Sequence, residues 1–177
     1  KGVMQMFKIP EDEAIESGII SKSIESAQEK VEGFNFDARK HILDYDEVMN
    51  KHREVFYKKR KEILEKSAGN TLKEYIIGAI DKAGFAKEDY DKKEKEVGAD
   101  NMNQLAKFVC LKVLDTFWIE HLEDMDYLRD SVKLRAYGQQ DPLIEYKKEG
   151  RIMFQRLLEE MEGAIANNIL KAEFKPQ

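Results

Sequence analysis

Apolar residues recur along this chain at helical rather than strand spacing. Ile20, Ile24, Ala27, Val31, Phe34, Ala38, Ile42, Tyr45, Met49, His52 and Phe56 follow one another at intervals of three or four. That is the stripe of an amphipathic helix, and nothing in it alternates with period two. The pattern predicts a continuous helix over 21–66, roughly 69 Å long at about 1.5 Å per residue, a spine that touches several neighbours. Gly33 is its weak point, costing about 1 kcal/mol relative to alanine. Two further stripes follow. Leu105, Phe108, Val109, Lys112, Phe117, His121, Met125, Leu128 and Val132 mark an ascending helix; Leu143, Tyr146, Met153, Leu157, Met161, Ala164 and Ile169 mark a descending one. Sequential helices with a short connection are antiparallel neighbours, so residues 101–171 read as a hairpin.

The turn between those helices carries the most informative local chemistry. Gly138 can take a positive φ without a Cβ clash, and Pro142 lacks the N–H needed to continue a helix. Asp141 is placed to cap the outgoing helix, with Pro142 at its first position. The tip therefore spans about residues 135–142 and holds one aromatic, Tyr137. Read from the residues alone, that ring either projects as a contact or folds back onto the hairpin. Gln139 and Gln140 beside it offer amide donors and acceptors with no charge preference.

The segment from Ser67 to Asp100 has another character. SAGN breaks the spine, and Thr71 with Glu74 has the spacing of a capping box. Leu72, Tyr75, Ile76, Ala79 and Ile80 predict about three helical turns ending near Gly84. Ala86 to Val97 is almost all charge, with Tyr90 and Val97 its sizeable apolar groups, and reads as a solvated helix or connector. Together these form a small, mobile wing. At the other end, Pro10 followed by Glu11, Asp12 and Glu13 reads as a short helix start interrupted by Gly18.

Composition narrows the function classes. With 37% charged and 42% hydrophobic residues and three prolines in 177, the chain suits amphipathic helices and not a loop-rich β fold. The net charge of −5 is spread over interspersed acids and bases, which gives no electrostatic case for nucleic acid. Cys110 is alone, so neither a disulfide framework nor a zinc site can be built, and a reducing, cytoplasmic setting is the default. No apolar run reaches the roughly 18–20 residues needed to span a bilayer. Phosphate-binding glycine loops are absent. His41, His52 and His121 lie on separate turns without the Glu-x-x-His pairs of a di-iron bundle. Glu120, His121, Asp124 and Asp126 are spread around a helix axis, a poor metal cluster, and Asp44, Asp46 and Glu47 read as surface or interface acids. No nucleophile sits beside a base, so no catalytic or metal-binding residue is expected. Trp118 is expected as a core or interface anchor, and the Lys58-Lys59-Arg60-Lys61 run as a solvated face or a contact for anionic lipid or an acidic neighbour.

Several stretches resemble one family. FNFDARKHILDYDEVMNKHREVFYKKRKEIL is similar to the long scaffold helix of the SecA preprotein translocase motors, and DTFWIEHLEDMDYLRDSVKLRAYGQQDPLIEYKKEGRIMF to their two-helix finger. KGVMQMFKIPEDEAIESGIISKSIESAQEKVE resembles the passage from the second motor domain into the scaffold, and KKEKEVGAD the segment returning from the wing. W-x-x-H-L-x-x-M-D-Y-L-R is the most specific of these matches. The stretch from about Ser67 to Phe85 departs and resembles a shortened wing. The resemblance implies an all-α fold: a very long scaffold helix packed with an antiparallel hairpin, plus a small helical wing. It divides the chain into a connector over 1–20, a scaffold helix over 21–66, a wing over 67–100 and a finger over 101–177.

It further implies a non-catalytic part of an ATP-driven motor whose ATP and Mg are bound by domains outside this chain. The scaffold forms one wall of the preprotein clamp, and the finger enters the SecY channel (SecYEG) from the cytoplasm and helps restrain the ATPase. Tyr137 matches the family's tip aromatic and becomes the main contact with the translocating polypeptide, with Gln139 and Gln140 subsidiary. Arg135, Gly138, Asp141 and Pro142 shape the tip, and Trp118 is a packing or regulatory candidate. The implied partners are unfolded secretory preprotein, the channel, the motor domains of the same protein and anionic phospholipid at the inner face of the plasma membrane. A freestanding helical adaptor that docks partners passively is the competing reading.

Overall fold

The computed structural model describes residues 18–135 and 141–172. Five helices make up the described fold: α1 (Gly18–Ala68), α2 (Leu72–Lys82), α3 (Lys87–Val97), α4 (Ala99–Arg135) and α5 (Pro142–Lys171). No strand occurs among the described residues, so the all-α expectation holds. The spine is longer than its stripe predicts, 51 residues, and Gly33 does not interrupt it.

The chain divides into two compact units, residues 1–44 and 45–177. In the first, residues 18–44 of α1 leave their apolar stripe uncovered: Ile24, Val31, Phe34 and Ile42 are exposed, as are Phe36 and Leu43 off the stripe. The stripe there is a matter of sequence periodicity and not of burial.

In the second unit, residues 45–68 of α1 run antiparallel to α4 and parallel to α5, as cross-helix pairs show. Arg60 bonds Asp115 at 2.9 Å, and Lys59 bonds Glu162 at 2.7 Å. Burial follows Tyr45, Val48, His52, Phe56 and Ile63, so Val48 takes the place predicted for Met49, which is only partly covered. The ascending stripe needs correction in its lower half. Phe108 and Lys112 are exposed, whereas Met102, Ala106, Cys110, Val113 and Leu114 are buried. This part of α4 is covered by α5 on one side and by α2 and α3 on another, which widens its buried arc.

The wing helices share that core. Leu72, Ile76, Ile80 and Tyr90 lie in one cluster with Met102, Cys110, Leu114, Met161 and Ile165. Most of α3 is exposed, as its charge predicts, but Tyr90 is not, and Lys73 sits 5.5 Å over its ring. Lys93 donates to the carbonyls of Ile169 and Leu170 at 2.8 and 2.9 Å, satisfying acceptors left open at the end of α5.

α1 ends in a Schellman motif. Thr71 N–H donates to Lys66 O at 2.8 Å and Asn70 N–H to Ser67 O at 3.3 Å, with Asn70 at φ 55°. Asn103 of α4 seals it, donating to Ser67 O and Asn70 Oδ1. Thr71 is thereby drawn backwards: its hydroxyl faces Lys66 O at 3.4 Å and makes no cap for α2. The capping box expected from Thr71 and Glu74 does not form.

Candidate functional site at the hairpin tip and its brace

Of the residues expected at the tip, Tyr137, Gly138, Gln139 and Gln140 lie outside the described residues. The flanks on both sides are described. Arg135 is the last residue of α4. Asp141 is the N-cap of α5: its carboxylate accepts from Leu143 N–H at 2.8 Å, its carbonyl accepts from Ile144 and Glu145, and Pro142 opens the helix. Each of these satisfies or removes a donor that the first turn would otherwise leave open.

Directly behind the tip the two helices are held together. Val132 on α4 and Tyr146 on α5 are buried with Leu128 and Met125, and Tyr45 and Val48 of α1 close the cluster. The Tyr45 and Tyr146 rings are 4.8 Å apart, tilted by 45°. Gly150 allows the three helices to converge. A Cβ built there would stand 2.8 Å from Met125 Cε and 3.7 Å from Val48 Cγ1.

Further along lies a nest of rings that sequence periodicity does not assemble. His52 of α1 meets His121 of α4, Nδ1 to Nε2, at 3.1 Å. The His52 ring stacks on Phe154 of α5 at 4.3 Å and 7°, and His121 tilts against Phe154 and Trp118. Phe56 stacks on Trp118 at 4.6 Å, with Tyr57 edge-on to the indole. Trp118 is therefore an anchor, as its size predicts, half-buried between α1 and α4. Burial pushes both imidazoles down to about 4, and for His52 the neighbouring ring adds to the effect. At neutral pH both are uncharged, one nitrogen donating and the other accepting. The sequence signal for this pair is slight: two histidines each on an apolar stripe, where aliphatic residues are the norm.

A third tie lies nearer the wing. Glu162 of α5 accepts from Lys59 of α1 and Lys82 of α2 at 2.7 and 2.9 Å. Burial raises its pKa, but the two hydrogen bonds outweigh that and hold the carboxyl below its usual range. Chemically, all three features position and stiffen. Among the described residues no group of three or more metal-ligating side chains comes together, and Glu120, His121, Asp124 and Asp126 form no such group. Cys110 is fully buried, its thiol pushed up to about 12. Among the described residues no helix is long and apolar enough to cross a membrane.

Comparison with known proteins gives a consistent result. The model of the SecA Wing and Scaffold domain matches residues 14–85 and 72–173. The protein translocase subunit SecA of Pelotomaculum thermopropionicum is 34% identical over 225 aligned residues, covering 96% of this chain and 25% of that protein. That of Dehalococcoides mccartyi strain 195 is 33% identical over 228, covering 100% and 24%. That of Clostridium acetobutylicum is 34% identical over 214, covering 90% and 25%. The chain thus spans about a quarter of the length of these relatives. Alignments of 225 and 228 positions on a chain of 177 residues leave the relatives with additional segments. The two family matches overlap at 72–85, in the wing.

Proposed function

The chain belongs to the SecA wing and scaffold family, and we propose that it serves as the stiff mechanical part of a protein translocase subunit. In this reading α1 is the brace and the α4–α5 hairpin the lever. Tyr137 at the tip meets the translocating polypeptide, Gln139 and Gln140 assist, and Arg135, Gly138, Asp141 and Pro142 shape the turn. An apolar ring with a hydroxyl suits a contact that must not read side-chain identity. The hairpin works in the mouth of the SecY channel, the scaffold lines the path of unfolded preprotein, and Trp118 contributes to restraint of the motor's ATPase. ATP and Mg are handled by other domains of the parent protein. The whole acts on the cytoplasmic face of the plasma membrane, where anionic phospholipid is a further partner.

The observation that carries this reading is the bracing of the helix ends beside the tip. Val132 and Tyr146 flank residues 136–140 and are both buried against α1, so force applied along the hairpin is not lost in splaying its ends. The test is photo-crosslinking from position 137 in the reassembled motor and channel during transport. Crosslinks to the translocating chain, with a several-fold slower transport by Tyr137→Ala and unchanged helicity, are expected. Wild-type transport by that variant refutes the assignment of Tyr137 and favours a passive docking platform.

A further inference from the structure

A groove lies between residues 47–55 of α1 and 147–155 of α5, on the outer side of the brace cluster and the ring nest, from which it borrows Val48, His52 and Phe154. It holds about 510 Å³, within the range of small-molecule sites. Val48, His52 and Phe154, each under 10% exposed, line its base, and Val55 stands half-exposed on one wall.

Its rim is charged unevenly. On α1, Glu47 bonds Lys51 at 2.7 Å, and that bond first, with Lys147 adding at longer range, holds its carboxyl below the usual range. On α5, Lys147 and Arg151 are exposed one turn apart, and among the described residues neither is in an ion pair. Like charges at that spacing repel, and an anion placed between them relieves the repulsion. Three cations thus face one carboxylate, in a chain whose net charge is −5.

We infer that this groove binds a single-chain anionic amphiphile in solution: an aliphatic tail along Val48, Val55 and Phe154, and a carboxylate head between Lys147 and Arg151. The guanidinium fork of Arg151 matches a carboxylate in two-point geometry. An extended peptide is a poorer fit. Both walls are helices whose backbone groups are bonded internally, so no sheet edge is offered for main-chain pairing. A bilayer is poorer still, because its chains would have to leave the lipid to reach a base recessed between two helices. The inference does not depend on the translocation reading.

The test titrates octanoate, decanoate and dodecanoate, each below its micelle concentration, into the 177-residue chain. The readout is NMR of the His52 imidazole and the Val48 and Val55 methyls. Saturable shifts are expected, with affinity rising about fourfold per added methylene until the groove is full. Decanol should bind at least fivefold more weakly than decanoate. Lys147→Glu with Arg151→Glu, both at exposed positions, should weaken decanoate at least tenfold while circular dichroism is unchanged. Val55→Asp, also exposed, tests the tail separately and should weaken it comparably. Unsaturable shifts, equal affinity in the charge-reversed variant, or equal binding of decyltrimethylammonium would overturn the inference. So would binding of an acidic aliphatic peptide, or of phosphatidylglycerol vesicles, without any response to decanoate.

Discussion

One helix in this protein carries the same apolar periodicity along its whole length and meets two fates. Over residues 18–44 the stripe is bare: Phe34 is 74% exposed and Val31 59%. Over residues 45–68 it is covered, with Phe56 at 2% and Ile63 at 0%. The apolar spacing does not distinguish the halves, and Gly33 lowers the helix propensity of the first without breaking it. What distinguishes them is the presence of α4 and α5 beside the second. An apolar stripe says which face a helix would bury; whether it is buried depends on residues far away in the chain. Since packing supplies most of a helix's stability, one continuous element is firm at one end and weakly held at the other.

The strongest way to break this comparison is to remove the same side chain from each half. Phe56→Ala empties a fully buried site stacked on Trp118, and large-to-small changes of this kind cost about 3–5 kcal/mol. Phe34→Ala removes a ring that is already in water and should lie within about 0.5 kcal/mol of the parent. Urea denaturation of both variants measures the difference, and amide exchange should be at least tenfold faster over 24–40 than over 52–64. Equal costs would mean that the first half is covered after all.

Acid sharpens the same contrast, because the covered half contains the His52–His121 pair. Both folded-state values are lowered from the ordinary 6.5 to about 4. Between those values the unfolded chain binds more protons than the folded one, so stability rises with pH. It is complete above about pH 6.5, falls as pH drops through 6.5, and stops falling near pH 4, where the folded rings protonate too. The loss is on the order of 3 kcal/mol for one histidine. Thermal melts from pH 7.5 to 4.5 should show it, and His52→Leu with His121→Leu should flatten the slope across that range. A slope unchanged in the double variant would place the acid sensitivity elsewhere.

How much of this was legible in the chain follows the same division between local and distant causes. The long helices, their antiparallel pairing and the Asp141–Pro142 start of α5 are written in neighbouring residues, and they form as read, with α1 running past its predicted bounds; the helix start expected at Pro10 to Glu13 lies outside the described residues. The buried face of lower α4 is not, because a single stripe assumes one neighbour and this segment has several; hence Phe108 is bare and Ala106 buried. Thr71 looked like a cap by spacing, yet the end of α1 claims it first. The His52–His121 bond joins residues on two helices whose register no local pattern fixes. Trp118 was legible as an anchor by size alone, and its partner Phe56 was not. Tyr137, Gly138, Gln139 and Gln140 remain assigned by resemblance and turn chemistry.

The finest test makes one substitution, glycine to alanine, at an open and at a tight position. Gly33, in the uncovered half of α1, has nothing within 4 Å of a built Cβ. Gly33→Ala therefore collects the helix-propensity gain of up to about 1 kcal/mol without opposition. It should slow local amide exchange by up to about fivefold. Gly150 in α5 collects the same gain but meets Met125 Cε at 2.8 Å and Sδ at 3.3 Å, with Val48 Cγ1 close behind. Met125 is flexible at its end yet 1% exposed, so the displaced methyl must push into a filled cluster. Overpacking of this kind typically costs about 1–3 kcal/mol, enough to cancel or reverse the propensity gain. Gly150→Ala should therefore be neutral to destabilising in urea denaturation. If it stabilised the chain as much as alanine slows exchange at Gly33, the cluster behind the tip would be loosely filled, and the brace would owe its stiffness to the ring nest and the Glu162 tie.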